Sequence, residues 1–427
     1  MKSCFTPANI LLPDFTKADP AKWAVVACDQ FTSEPEYWEK AAQRVGDAPS
    51  TLNLILPEVY LSETERRVPK VNDTMQKYIE EVLLSHPDSM VYIQRVQSDG
   101  SVRHGVLLAV DLEQYEYIKG ASSLIRATEA TVIERIPPRV AVRRGAAIEL
   151  PHVMLLIDDP DKTVVEPLKD TCGMQTAYDF DLMLGGGHIK GSFIPADEQA
   201  RIEEALAALI APEKMAERYG KEGLAPLLFA VGDGNHSLAS AKAAYEEVKA
   251  KLGAEAAASH PARFALCEVV NIHDEALKFE PIYRVMFDVD AEDVLAKLSE
   301  YAEKLDGSAP EQTVEYTYDR GNKKGSLTFK KPTQQLTVGT LQVFIDAYIA
   351  EHKGASVDYI HGEDSVAALC KKEGSIGFVF DGMAKDQLFK TVIFDGALPR
   401  KTFSMGHAVD KRYYLECRQI DLDKVNG

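Results

Sequence analysis

Short apolar runs alternate with stretches of helical periodicity as far as about Val285, the pattern left by a sheet with helices packed on its faces. The runs predict strands at 23–27, 52–56, 90–95, 105–110, 153–157, 227–231 and 264–272. The periodic stretches predict helices at 34–45, 62–84, 197–210 and 237–252. In the last of these Leu238, Ala241, Tyr245, Val248 and Leu252 recur at alternating spacings, the apolar stripe of a helix lying on a sheet. Residues 254–258 read as an alanine-rich loop. Beyond Val289 the chain turns to charged helices and alternating strands, with a polar, turn-rich stretch at 306–325 and a half-exposed strand at 325–330. The expected fold is therefore α/β or α+β, with a mixed-sheet N-terminal core at 1–287 and a smaller α+β C-terminal domain at 288–427.

One junction in this pattern carries chemistry. In AVGDGNHSLASAK, residues 230–242, a buried strand gives way to an amphipathic helix through Asp233, Gly234, Asn235, His236 and Ser237. The first N–H groups of a helix have no intrahelical partners and stand at the positive end of its dipole, which makes such a junction an anion site. Asp233 and His236 supply a carboxylate and an imidazole for proton transfer or metal binding. A turn that only caps the helix needs one of these side chains, and several stand together here.

Other patterns are weaker. The run at 185–192 contains Lys-Gly-Ser where a phosphate-binding P-loop needs Gly-Lys-Ser or Gly-Lys-Thr, so it reads as a connection between strands. His361 and Glu363 have the spacing of a zinc deaminase motif, but its paired cysteines do not follow. Asp158, Asp159 and Asp161 around Pro160 read as a surface turn in preference to a cation site. Arg126, Arg135, Arg139, Arg143 and Arg144 form a basic cluster that suits either anion recognition or a solvated helix face.

Over its 427 residues the chain has a net charge of −18, spread along its length. That balance disfavours nucleic acid and anionic membrane as partners and calls for a locally basic pocket around any anionic substrate. The six cysteines are widely separated, which suits reduced thiols. With no apolar run long enough for a signal peptide or a membrane span, the expected location is the cytoplasm.

Five blocks then resemble a known family. They are VVACDQFTSEPEYW with Asp29, Gln30 and Ser33; SLIRATEATVIERIPPR with Arg126, Thr128 and Glu129; the DGNHSLASAK turn; FEPIYRV with Glu280 and Arg284; and LPRKTFSMGH with Lys401, Thr402 and Ser404. In this order they resemble the family of domain of unknown function 1015. The Asp-Gly-x-His turn with its helix is also similar to the nucleotide-binding turn of the ParB and sulfiredoxin superfamily, which includes free serine kinases. That resemblance implies a ParB/sulfiredoxin-like element within the mixed-sheet core and phosphoryl transfer or phosphoester hydrolysis on a small amino-acid-like substrate, serine or phosphoserine. A non-catalytic nucleotide or metabolite sensor is the alternative.

Under this reading Asp233, His236 and Glu129 are catalytic. Asp29, Gln30, Ser33, Arg126, Thr128, Gly234, Asn235, Ser237, Arg284, Lys401, Thr402 and Ser404 bind substrate or phosphate, and segment 398–407 reaches the site from the C-terminal domain. Many relatives carry His and Arg where Asn235 and Ser237 stand, so Arg126, Arg284 or Lys401 would take over phosphate binding. Phosphoryl chemistry depends on positioning and on neutralising charge. The cofactors to expect are accordingly Mg²⁺ and a nucleotide, with the metal ligands left open. The partner is an anionic small molecule, and the protein a monomer or homodimer.

Overall fold

The computed structural model describes residues 3–129, 136–170 and 173–425. It divides into two compact units, the first made of Met1–Ala127, Thr131–Leu277 and His407–Gly427, the second of Thr128–Ala130 and Lys278–Gly406.

The first unit is built on a ten-stranded mixed sheet. Its strands are β1 (Phe5–Thr6), β2 (Val91–Val96), β3 (Val102–Asp111), β4 (Tyr115–Glu116), β5 (Ile125–Ala127), β6 (Met154–Ile157), β7 (Thr176–Asp181), β8 (His188–Phe193), β9 (Phe229–Asp233) and β10 (Phe264–Asn271). They lie in the order β7-β8-β2-β3-β10-β6-β9-β5-β4, with β1 paired to β3. β6 runs parallel to β10 and antiparallel to β9. All four residues of β6, and Phe229, Ala230 and Val231 of β9, are buried, as continuous apolar runs at the centre of a covered sheet should be. The main helices are α1 (Pro35–Val45), α2 (Thr64–Glu81), α3 (Ile136–Arg143), α4 (Ala196–Leu209), α5 (Pro212–Tyr219) and α6 (Asn235–Leu252). In α6 the predicted stripe is buried at Leu238, Ala241, Tyr245 and Val248, whereas Leu252 is exposed.

The sequence reading fails where side chains override the apolar pattern. Residues 52–56 are not a strand: Thr51–Leu54 forms a 3₁₀ turn, because Ser50 Oγ accepts the Leu52 N–H at 3.2 Å and the Ser50 and Thr51 hydroxyls both donate to the Trp23 carbonyl. The helix predicted to reach residue 84 stops at Glu81, and Leu83–Ser89 pairs with Ala8–Pro13. Ala254–Ala258 is a short helix and not a loop.

A network of fully buried ions crosses the sheet. Glu268 on β10 accepts from Arg412 Nη1 at 2.7 Å and from Arg103 Nε at 3.4 Å, while Arg412 Nη2 donates to Glu416 at 2.6 Å. Burial pushes the Glu268 carboxyl up, but Arg103 and Arg412 outweigh it and hold the group below the usual carboxylate range. Gly105 makes the room, since a Cβ there would meet Glu268 Oε1 at 2.7 Å. Nearby, His104 shares a 2.7 Å hydrogen bond with Tyr92, and burial, followed by the charge of Lys169, lowers its pKa to about 4. Between its ordinary value of 6.5 and 4 the unfolded chain therefore binds the extra proton, so acidification through that window destabilises the fold. Replacing His104 with Gln should flatten this part of a curve of unfolding free energy against pH.

The second unit is an antiparallel α+β body. Its strands are β11 (Phe279–Phe287), β12 (Gln312–Tyr318), β13 (Lys323–Phe329), β14 (Ser356–His361), β15 (Ser375–Val379) and β16 (Phe403–Met405), in the order β13-β12-β15-β11-β14, with β16 on the first residues of β11. Helices α7 (Ala291–Lys304) and α8 (Thr337–Glu351) are its longest.

The sequence boundary near Phe287 differs from this division in two respects. β11 belongs wholly to the second unit, and His407–Gly427 returns to the first. That return rests on strands only two residues long, Tyr413–Tyr414 on Val25–Val26 and Arg418–Gln419 on Ile148–Glu149, too short for any periodic signal.

Candidate functional site

The turn after β9 is held open by one glycine. Gly234 adopts φ 82°, and a Cβ in its place would stand 3.1 Å from Val153 Cα and 3.4 Å from the His152 ring, so both the positive φ and the close approach require glycine. α6 begins immediately after it, its first intrahelical bond running from Leu238 N–H to Gly234 C=O at 3.0 Å. The antiparallel register of β9 with β6, Met154 opposite Asp233, brings the residues just before β6 beside this helix start.

There His152 meets Ser237. Ser237 Oγ and His152 Nε2 are 2.8 Å apart, His152 Nδ1 and Tyr414 Oη are 2.6 Å apart, and the Tyr414 hydroxyl donates to Cys28 Sγ at 3.1 Å. Burial pushes the Cys28 thiol up to about 12 and, with Cys28 beside it, the Tyr414 phenol well above its ordinary value. Both groups keep their protons at neutral pH. The tautomer with its proton on Nδ1, donated to Tyr414, is the one that leaves Nε2 to accept from Ser237. The arrangement is that of a hydroxyl with its general base and the base's orienting partner.

Beside it lies a carboxylate side. Lys411 Nζ is 3.1 Å from Asp233 Oδ2. Asp29 is pushed up by burial but pulled further down by His152, by its 2.9 Å hydrogen bond from Gln30 Nε2 and by Lys411, so its carboxyl lies below the usual range. Ser237, His152, Cys28 and Tyr414 also line a mainly apolar cavity of about 160 Å³. Asp29, Asp233 and Lys411 lie outside that lining. Among the described residues no group of three or more His, Cys, Asp or Glu side chains is placed to hold a metal ion.

Over residues 13–358 the chain matches the family described as "Protein of unknown function (DUF1015)". It belongs to the DUF1015 family. No curated protein matches this DUF1015 chain. Among solved structures it is similar to a conserved hypothetical protein from Pyrococcus furiosus, with 12% identity, a TM-score of 0.33, and coverage of 75% of this chain and 97% of that one. It is also similar to a free serine kinase in complex with AMP, with 12% identity, a TM-score of 0.36, and coverage of 75% and 93%. A third similarity is to SbnI from Staphylococcus aureus with a C-terminal truncation, at 11% identity and a TM-score of 0.32, covering 70% and 82%. Likenesses of this strength have no bearing on the chemistry of the turn.

The structure sorts the predicted residues of this DUF1015 protein. Asp29, Gln30, Asp233, Gly234, Asn235, His236 and Ser237 stand in the first unit, and Lys411 links Asp233 electrostatically to Asp29. Ser33 is exposed in the loop before α1. The imidazole that meets Ser237 is His152, not His236, whose carbonyl accepts from Ser240 Oγ. Arg126 does not present its guanidinium to a ligand: it is buried and donates to the carbonyls of Ser123, Ala225 and Pro226, tying down the segment before β9. The basic cluster is likewise neutralised, Arg139 by Glu58, Arg143 by Glu149 and Arg144 by Glu247, and Arg135 lies outside the described residues. Pro160 and Asp161 form the exposed turn expected, but Asp158 and Asp159 before it are buried. Asp159 accepts the Thr163 and Val164 N–H groups, and Asp158 accepts from Tyr219.

Thr128, Glu129, Arg284, Lys401, Thr402 and Ser404 stand in the second unit. Arg284 is fully buried and donates to Gln342 and to the carbonyls of Ile282, Arg400 and Lys401, so it clamps the loop before β16 and is not a free phosphate ligand. Thr402 donates to the Pro399 carbonyl, the Thr128 carbonyl accepts from Leu398, Glu129 bridges to Leu398, and Ser404 pairs with Glu280.

His152, Tyr414, Cys28 and Lys411 escaped sequence reasoning. Cys28 adjoins Asp29 in a block already singled out, and His152 directly precedes a predicted strand. Those positions are the only signals the chain gives.

Proposed function

We propose that the first unit is an enzyme of phosphoryl transfer or phosphoester hydrolysis acting on a small substrate, with the phosphate at the start of α6 beside Lys411. The observation that carries this reading is the 2.8 Å contact of Ser237 with His152 at the N-terminus of a helix, with Lys411 3.1 Å from Asp233 just before that helix. Helix starts and ammonium groups are where phosphate charge is stabilised. In this mechanism Ser237 Oγ attacks phosphorus while His152 Nε2 takes its proton. The ester oxygen leaves with that proton. Water, deprotonated in turn at Nε2, releases phosphate and returns a proton to Ser237, and a second hydroxyl in place of water gives transfer instead of hydrolysis. Asp29 stabilises the imidazolium, and Asp233 positions Lys411.

Serine and phosphoserine are the first substrates to test, as the turn's resemblance implies. Incubating the full chain with O-phosphoserine, with phenyl phosphate, and with serine plus ATP or ADP should release phosphate or yield phosphorylated product by mass spectrometry. Binding without conversion in every pairing would replace the enzyme with a sensor.

A further inference from the structure

The cavity beside Ser237 bears on what the phosphate is attached to. At about 160 Å³ it matches the volume of about 150 Å³ in which an apolar site holds benzene. Leu54, Leu56, Met75, Ile148, Ala241 and Leu266 form much of its wall, and all are buried. The arginines that reach it are already matched, Arg139 by Glu58 and Arg143 by Glu149. A free amino acid would bring both an ammonium and a carboxylate into this space, and a buried charge without a new partner is strongly disfavoured. Ser237 and His152 are part of the cavity lining, and the Asp233–Lys411 pair, one turn before Ser237, is not.

Resting on the role given above to Ser237 and His152, we infer that the substrate is a phosphomonoester of a compact apolar alcohol or phenol. Its ring or branched alkyl group fills the cavity while the phosphate faces the helix start. Small apolar sites of this kind select by fit, and an added group within them excludes ligand directly.

The test compares kcat/KM for phenyl phosphate and O-phosphoserine in the full chain and in Ala241→Leu, which narrows the cavity from the α6 side. Phenyl phosphate should be favoured at least tenfold, and Ala241→Leu should lower that ratio at least fivefold. A preference for phosphoserine, or a ratio unmoved in a folded variant, overturns the inference and leaves the proposed phosphoryl chemistry standing. A second measurement depends on neither turnover nor substitution. Calorimetric titration of the unaltered protein should show benzylphosphonate binding at least tenfold more tightly than methylphosphonate, and equal affinities overturn the inference. If no phosphoester is converted, the enzyme reading fails, and this titration still decides what the cavity holds.

Discussion

His152→Gln and Ser237→Ala are each expected to lower turnover about 10²- to 10⁴-fold, the usual contribution of a group that transfers a proton in the transition state. Ser237→Ala should keep a melting temperature close to that of the unaltered protein because Ser237 is part-buried, whereas His152 is buried and bonded to Tyr414, so His152→Gln should cost about 1–3 kcal/mol and is assayed where it remains folded. Tyr414→Phe separates orientation from chemistry. It removes the hydroxyl 2.6 Å from Nδ1, leaves the imidazole without that anchor, and should lower kcat more than it changes KM. Measuring both constants on the three variants checks the assignment. Full activity in His152→Gln would remove His152 from the reaction and return the role of base to Asp233.

Arg412→Met is expected to destabilise the first unit by about 3–5 kcal/mol, the cost of taking the shared cation out of a buried ion network in which Glu268 keeps only Arg103 and Glu416 only the Tyr178 hydroxyl. Glu268 and Glu416 both lose their 2.7 and 2.6 Å contacts, and the Pro151 carbonyl loses the Arg412 Nε donor at 3.1 Å. Urea unfolding monitored by tryptophan fluorescence suits the measurement, since Trp23 and Trp38 are both buried in the first unit. Because Pro151 adjoins His152, the variant should also lose activity at temperatures where it remains folded. A shift below about 1 kcal/mol would mean that the carboxylates take up protons or water at little cost.

The strand-turn-helix at the centre of the site was legible because local chemistry and tertiary structure agree there. An apolar run buried on both faces leads into a glycine that only a positive φ explains, followed by a helix with one apolar stripe. The proposed base was not. His152 stands alone before its strand, and its partners lie 85 and 262 residues away, joined to it only by sheet register and by the returning C-terminal segment. Arg126 and Arg284 misled for the opposite reason. A guanidinium in a loop block looks the same in sequence whether it grips phosphate or, as here, backbone carbonyls. The basic cluster dissolved once Glu58, Glu149 and Glu247 were found beside it, pairings that no spacing along the chain announces.

The path of the chain also sets a timetable for synthesis. Trp23 Nε1 donates to the carbonyl of Leu415, 392 residues later, and Lys411 and Tyr414 arrive on the same stretch. Since the whole of Lys278–Gly406 must be translated before that stretch emerges, the sheet of the first unit can assemble early while its reactive corner waits. Domains fold largely in the order they leave the ribosome, and distant pairings close last. A nascent chain stalled after Gly406 should thus hold most of the first unit's core but bind no phosphonate, leaving Ser237 and His152 without Tyr414 until the segment that begins at His407 has been made.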